Sequence, residues 1–449
     1  MIGSDKLLTP LGKLAKQIKA DGLSFCALAR SRQVFRFAYE AIHQDLRQES
    51  LSITVKAIAD GRIGVASTNQ LDAKSLKQCV QSALAIARHS PRQEKPLPLP
   101  ARYRLCATDD YDPATAAVAG EACVKKLKHL FRICRGVSAE LAGSLVTGED
   151  EMAVINSSGV AAYAASTVCA AKLVSFYRKL SGYASGVCRR FDALDLEAIL
   201  QRCLKQSLHS DERITPPLGN YEVILEPEAV AELISWLGII AFGAKSFQER
   251  TSFLSGRMGD QILDPQLTIY DDGIEAQGLR MPFDFEGTPK QRVKFIDRGK
   301  ACGIVYDTEY GAAFDHASTG HGMPADETEG PFPLHLAISP GKESVGSMIR
   351  SCKRGLLIPR LHYVNGLLNP REALMTGLTR EGTFLIEDGR LKQPVTTLRF
   401  TQSLLEALKN VRGISKQRQL IADPSQEPGC QLMPYLHLKQ FAFTGHSES

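Results

Sequence analysis

The chain has 449 residues, 44% hydrophobic and 23% charged, which is ordinary globular composition in a length that exceeds one hydrophobic core. Fifty-four basic against 49 acidic residues leave a net charge of +5, too weak over this length to support nucleic-acid binding. Eleven cysteines without a CxxC pair, odd in number and irregular in spacing, argue against a disulfide framework.

The first ten residues, MIGSDKLLTP, lack the basic stretch, apolar run and cleavage site of a signal peptide, so a cytoplasmic protein is expected. Alternating β-formers over 24–30 and 34–39 predict strands. Residues 51–59 and 62–67 predict a hairpin around Asp60-Gly61, a pair that supplies the positive φ of a tight primed turn. Leu76, Val80, Leu84 and Ala87 follow Asp72 at helical spacing, which predicts a capped helix over 72–89. The proline-rich run 91–100 cannot form helix or central strand and reads as a linker.

Beyond it the pattern predicts a helix over 113–134, strands over 152–155 and 161–168, and a closing helix over 195–208. A second boundary falls at 215–220, before a strand over 221–225. The apolar run 233–244 lies between Glu232 and Lys245 and is shorter than the roughly 20 residues of a membrane span, so a buried core helix around Trp236 is expected. Short strands and glycine turns follow, with a hairpin signal at Glu387-Asp-Gly-Arg390. The fold class is α+β: an N-terminal α/β unit over 1–100, a middle α/β unit over 101–218 and a β-rich C-terminal domain over 219–449.

Candidate chemistry is sparse. No GxSxG elbow, P-loop or strand-following GxGxxG occurs. Only His316 and His321 come close to ligand spacing, in a loop where Asp315 could be a third ligand; the competing reading is a glycine-rich structural loop. Asp271, Asp272, Asp284 and Glu286 form two acidic pairs that suit acid/base or metal chemistry, or equally turns and solvated strand ends. In residues 124–135, Leu127, Leu130, Phe131 and Cys134 share one helical side, and Lys125, Lys126, Lys128, His129, Arg132 and Arg135 the other. A solvated outer face is the default for such a helix; an anionic partner is the sharper reading.

Seven stretches carry a resemblance. They are VKAIADGRIGVAST at 55–68, Asn156-Ser-Ser-Gly159, TSFLSGRMG at 251–259, LTIYDDG at 267–273, FDFEGTP at 283–289, Ile296-Asp-Arg-Gly299 and YLHLKQFAFTG at 435–445. In order and spacing they resemble the TldD/PmbA family over nearly the whole chain. That resemblance implies a zinc peptidase complex whose TldD subunits carry HExxxH, two histidines for the metal and a glutamate for its water. The corresponding interval here, 226–251, contains no histidine. Catalytic relatives also supply a cysteine ligand near the C-terminus, and Cys430 does not align well with it.

The resemblance therefore implies a PmbA/TldE-type subunit. Neither catalytic, cofactor-binding nor metal residues are assigned in this chain, and zinc is expected in the partner subunit. That partner is a TldD-type subunit in a heterodimer, with a homodimer open in isolation. The substrate is an unfolded or precursor peptide, and neither nucleic acid nor membrane is expected as a partner. A self-sufficient hydrolase and a nucleic-acid-associated regulator are the alternative readings.

Overall fold

The computed structural model describes residues 1–93, 97–106, 108–209, 212–424 and 428–447. Residues 94–96 of the expected linker lie outside them. The chain opens with a helix that the sequence reading did not include, α1 (Ser4–Gln17), which buries Leu7, Leu11 and Ala15 at four-residue spacing in spite of Pro10 in its interior. Next come β1 (Gly22–Ala38), β2 (Ala41–Ala59), β3 (Arg62–Thr68) and α2 (Ala73–His89). After the linker follow α3 (Pro113–Ala116), α4 (Gly120–Gly136), β4 (Glu140–Asn156), β5 (Ala161–Tyr177), β6 (Leu180–Cys188) and α5 (Leu196–Ser207).

Local chemistry sets several of these limits. Asp60 and Gly61 both take positive φ between β2 and β3, as the turn requires. Asp72 accepts from the N–H groups of Lys74 and Ser75 at 3.0 Å each, capping α2. The helix expected over 113–134 is two helices, because Asp112 caps a first turn and Ala119 is extended ahead of α4.

The six strands form one antiparallel sheet in the order β3-β2-β1-β4-β5-β6. Strands β1 and β4 pair along nearly their whole length, so units 1–100 and 101–218 share this sheet. The runs 24–30 and 34–39 are parts of one strand, since the polar residues between them stay paired on both sides. One face of the sheet carries all the long helices. Phe25, Ile53 and Val55 pack with α1 and α2, while Phe35, Phe37, Leu141 and Leu173 pack with α4 and α5. At Gly64 an added Cβ would meet the Ala83 carbonyl at 2.0 Å, so glycine is what lets α2 lie against β3.

The opposite face is covered by the C-terminal body. Cys26, Met152, Val154 and Val160 there bury Phe283 and Phe285. In that body β7 (Gly219–Leu225) lies between Arg354–Ile358, parallel to it, and Gln431–His446, antiparallel, within a thirteen-stranded sheet of the described residues. It leads into α6 (Pro227–Ala241), with Pro227 in the first turn where its missing donor costs nothing.

The sequence placed α6 wholly in a core, and one face does not comply. Leu233, Ile234, Leu237 and Ile240 are buried, but Ile239 is 48% exposed and Trp236 only half-buried. Glu232, Ser235, Trp236 and Ile239 make a stripe directed out of the core. The second hairpin forms as expected, with Asp388 and Gly389 at positive φ between Phe384–Glu387 and Arg390–Pro394. Among the described residues no helix is long and apolar enough to cross a membrane.

Candidate functional site

The outward stripe of α6 forms one wall of a cavity of about 400 Å³ between the N-terminal sheet and the C-terminal body. Lys172 and Tyr183 come from β5 and β6, Glu228, Glu232, Ser235 and Ile239 from α6, and Arg360, His362 and Tyr363 from the facing strand Arg360–Asn369. Burial pushes the carboxyls of Glu228 and Glu232 above their usual range, and that of Glu226, in the same turn of chain, up to about 7. The Ser185 hydroxyl donates to Glu228, Lys172 pairs with Asp423, and Gln431 reaches Ser235. Arg360 lies 4.0 Å from the centre of the Tyr183 ring and pairs with Glu381 at 3.2 Å. The result is a lining that mixes charged and polar side chains with Tyr183, Tyr363 and Ile239.

The resemblance sets the zinc histidines of TldD subunits in the interval corresponding to 226–251, so the fit of this chain's own residues to zinc is decided at this wall. The interval 226–251 holds the cavity-facing stripe of α6, which presents carboxylates, a hydroxyl and an isoleucine where a zinc peptidase needs two imidazoles on one helical face. Cys430 does line the cavity, yet its sulfur accepts from the Leu279 N–H at 3.2 Å, and burial pushes its thiol up to about 12. This donor set does not fit a zinc centre.

Among the described residues one group could in principle hold a metal, namely Glu222, Cys352 and His437, which the sequence reading did not bring together. Strand pairing joins them. Both His437 Nε2 and an Arg412 N–H lie 2.6 Å from the same Glu222 oxygen, closer than two ligands of one tetrahedral metal would stand, and burial keeps the Cys352 thiol up at about 12. The group is built as a hydrogen-bond network that ties β7 to its neighbours.

Of the other expected candidates, the structure brings His321 and Asp271 together and leaves His316 apart. His321 is buried, with Nε2 2.9 Å from Asp271 and Nδ1 2.9 Å from Thr319, whereas the half-buried to exposed loop around His316 places that ring on Tyr306 at 4.7 Å. In the acidic pairs Asp271 and Asp284 are buried and not solvated, while the expectation of turn residues holds at Asp284, which ties the turn over 284–288, and at Asp272, which accepts from the Ile274 N–H at 3.1 Å. Asp271 is fully buried; although burial opposes its charge, Lys290 and His321 hold its carboxyl well below the usual range. Asp284 is 1% exposed and accepts from the N–H groups of Glu286, Thr288 and Gly322 at 3.0, 2.9 and 2.7 Å. Burial, then the charge of Glu286, pushes Asp284 up to about 8. On α4, Lys125, Lys128, Arg132 and Arg135 are exposed, but Lys126 lies 4.5 Å over the Phe191 ring and His129 contacts Glu197 at 2.7 Å, so those two serve the contact with the segment around α5.

The shared motifs thus receive structural roles. Asn156 accepts from Ser158 and Val160 and donates to the Pro100 carbonyl, closing the β4–β5 turn. Ser252 donates to the Ala241 carbonyl and accepts from Leu254, ending α6, while Phe253 packs edge-on to Phe242. In 283–289 the two phenylalanines fill the interface with the N-terminal sheet and Asp284 ties the turn between them.

A helix-backed antiparallel sheet closed over a β-rich body, with a charged cavity at the junction, defines the architecture. Residues 218–445 match the family model described as the PmbA/TldA metallopeptidase C-terminal domain, and residues 42–87 match domain 1 of the same family. The chain belongs to the PmbA/TldD family. It is 21% identical to a protein named metalloprotease TldD homolog of Haemophilus influenzae over 82% of this chain and 80% of that one. It is 26% identical to an uncharacterized protein of Methanocaldococcus jannaschii over 61% of this chain and 64% of that protein's length, just under two thirds. Among solved structures, TldE from Thermococcus kodakarensis superposes with a TM-score of 0.87 at 20% identity, covering 98% of this chain and 99% of that chain. A putative modulator of a DNA gyrase from Thermotoga maritima superposes at 0.84 and 16% identity, covering 94% and 96%. At these identities the structural likeness establishes the fold.

Proposed function

We propose that this chain is a PmbA/TldE-type, non-catalytic subunit that works beside a TldD-type zinc metallopeptidase on unfolded or precursor peptides. The observation that carries the reading is the cavity wall of α6, which bears Glu228, Glu232, Ser235 and Ile239 and has no imidazole anywhere in 226–251. Zinc, the two histidines and the glutamate base belong to the partner in this reading, where two imidazoles hold the metal and the glutamate activates its bound water. The chain contributes a wall of the chamber and a fixed junction between its two bodies. The TldE and TldD names of relatives support this division of labour. An extended peptide would be held largely through backbone hydrogen bonds, which read conformation more than side-chain identity.

The test is co-expression with the TldD-type protein of the same source, followed by size-exclusion chromatography and digestion of an unfolded peptide. Co-elution with zinc-dependent cleavage is expected. Separate elution with full activity in the TldD-type protein alone would sink the reading.

A further inference from the structure

Strands β5 and β6 form a hairpin whose ladder runs from Tyr177 opposite Leu180, beside the turn, to Cys169 opposite Cys188 at its open end. Residues directly opposed in an antiparallel ladder carry their side chains on one face. Their Cα atoms stand roughly 4.5–5.5 Å apart, inside the roughly 4.4–6.8 Å that a disulfide spans. No other two cysteines of the described residues face each other across a strand pair.

The two thiols differ in access. Cys169 is fully buried in the core that the sheet shares with α4 and α5. Cys188 is only partly buried, lies on the outermost strand of the sheet, and donates its S–H to the Arg190 carbonyl at 3.0 Å. Contact between the pair also separates them chemically. Donation from Cys169 pulls the Cys188 thiol below its ordinary value although burial opposes this, and the same contact, together with burial, pushes the Cys169 thiol up. Because the thiolate is the attacking form, Cys188 is the nucleophile and Cys169 the thiol held in reserve behind it.

We propose that Cys188 and Cys169 are a reversible redox modification site, closed to a disulfide by a low-molecular-weight disulfide such as oxidised glutathione. The Cys188 thiolate attacks one sulfur of oxidised glutathione, whose S–S bond breaks; a mixed disulfide forms on Cys188, and the first glutathione leaves as thiolate and takes up a proton. Cys169 then loses its proton, attacks the Cys188 sulfur and releases the second glutathione, which is protonated in turn. Two protein thiols are oxidised and one glutathione disulfide is reduced to two thiols; excess reduced glutathione runs both steps backwards. Such a bridge is a transient, redox-sensing one in a reducing compartment and not a framework disulfide. It staples the end of β6 one residue before Arg189, whose Nε lies 3.1 Å from Asp110 and whose Nη2 donates to the Arg280 carbonyl of the C-terminal body at 2.9 Å. Oxidation thus stiffens the strand end from which the two bodies are joined.

The test is equilibration of the folded full chain in glutathione buffers of graded reduced-to-oxidised ratio, then acid quenching, alkylation under denaturing conditions and peptide mapping by mass spectrometry. Wild type should yield peptides joined through Cys169 and Cys188, lighter than the separate reduced peptides by two hydrogens, and excess reduced glutathione should part them. In Cys169→Ser the attacking thiol has no resolving partner, so Cys188 should accumulate the glutathione adduct. In Cys188→Ser the buried Cys169 should stay unmodified. Native-state hydrogen exchange over 185–190 should be slower in the bridged wild type than in the reduced one. Wild-type mapping and exchange need no variant, so they decide the matter even if a serine variant fails to fold. Absence of the bridge at every ratio, or its formation only once the chain is unfolded, overturns the inference. So does a Cys188 left unmodified in folded Cys169→Ser, or equal exchange in the two wild-type forms. No TldD-type protein is needed, which makes the outcome independent of the proposed function.

Discussion

Replacing Asp284 by alanine tests the claim that 283–289 is a structural lock between the two bodies. The carboxyl is buried and receives three N–H groups, from Glu286, Thr288 and Gly322. A buried donor left unpaired costs about 1–3 kcal/mol; with the loop relaxing enough to hydrate some of them, the total should be about 3–5 kcal/mol. Alanine abolishes all three bonds, whereas Asp284→Asn keeps an oxygen for Glu286 and Thr288 and turns an amide donor toward Gly322, so it should cost less. The two variants also differ from wild type in pH dependence. The unfolded carboxyl releases its proton near 3.8, and the folded one keeps it until about 8. Between those values the folded state binds the extra proton, so this group's contribution to stability falls as pH rises across the window, by up to about 1.4 kcal/mol per unit. The amide introduced by Asp284→Asn does not titrate, so the deficit of that variant relative to wild type should shrink as pH rises. Urea unfolding followed by far-UV circular dichroism at about pH 5 and about pH 8 measures both effects. A loss below about 1 kcal/mol for alanine, or a wild-type-to-asparagine difference that grows with pH, would refute the reasoning.

Two further outcomes follow from the site. Trp236, the single tryptophan, is half-buried against the core on α6 and lies against Gly366, where an added Cβ would meet its ring at 2.7 Å. Its replacement by alanine should cost about 2–3 kcal/mol, below the roughly 3–5 kcal/mol of a fully buried aromatic; its fluorescence should be partly open to acrylamide, and complete protection from the quencher would contradict the assignment. Tag-free, metal-replete protein should carry far less than one zinc per chain by plasma mass spectrometry, since neither α6 nor the Glu222–Cys352–His437 network fits the ion; near-stoichiometric zinc lost on His437→Ala would show that the network is a metal site after all.

Sequence by itself determined what depends on neighbours along the chain. Asp60-Gly61 and Asp388-Gly389 specify their hairpins because positive φ is a local demand, and Asp72 caps α2 through residues two and three positions on. The absent imidazoles of 226–251 are equally a matter of sequence, as are the family motifs. Tertiary structure decided whatever rests on distant partners. Periodicity could not reveal the length of β1 and β2, because residues 31–33 and most of 43–50 are polar and show no apolar alternation, while the ladder between the strands runs on through them. It could not show that units 1–100 and 101–218 share a sheet, since the β1–β4 ladder joins residues more than a hundred positions apart. An all-apolar run looks buried all round until the neighbours are known, and only the position of the N-terminal sheet leaves one stripe of α6 facing a cavity. The buried carboxylates illustrate the same limit: Asp271 and Asp284 look like solvated turn acids in sequence, and become internal because Lys290, His321 and three backbone donors, brought by other segments as well as their own, satisfy them there.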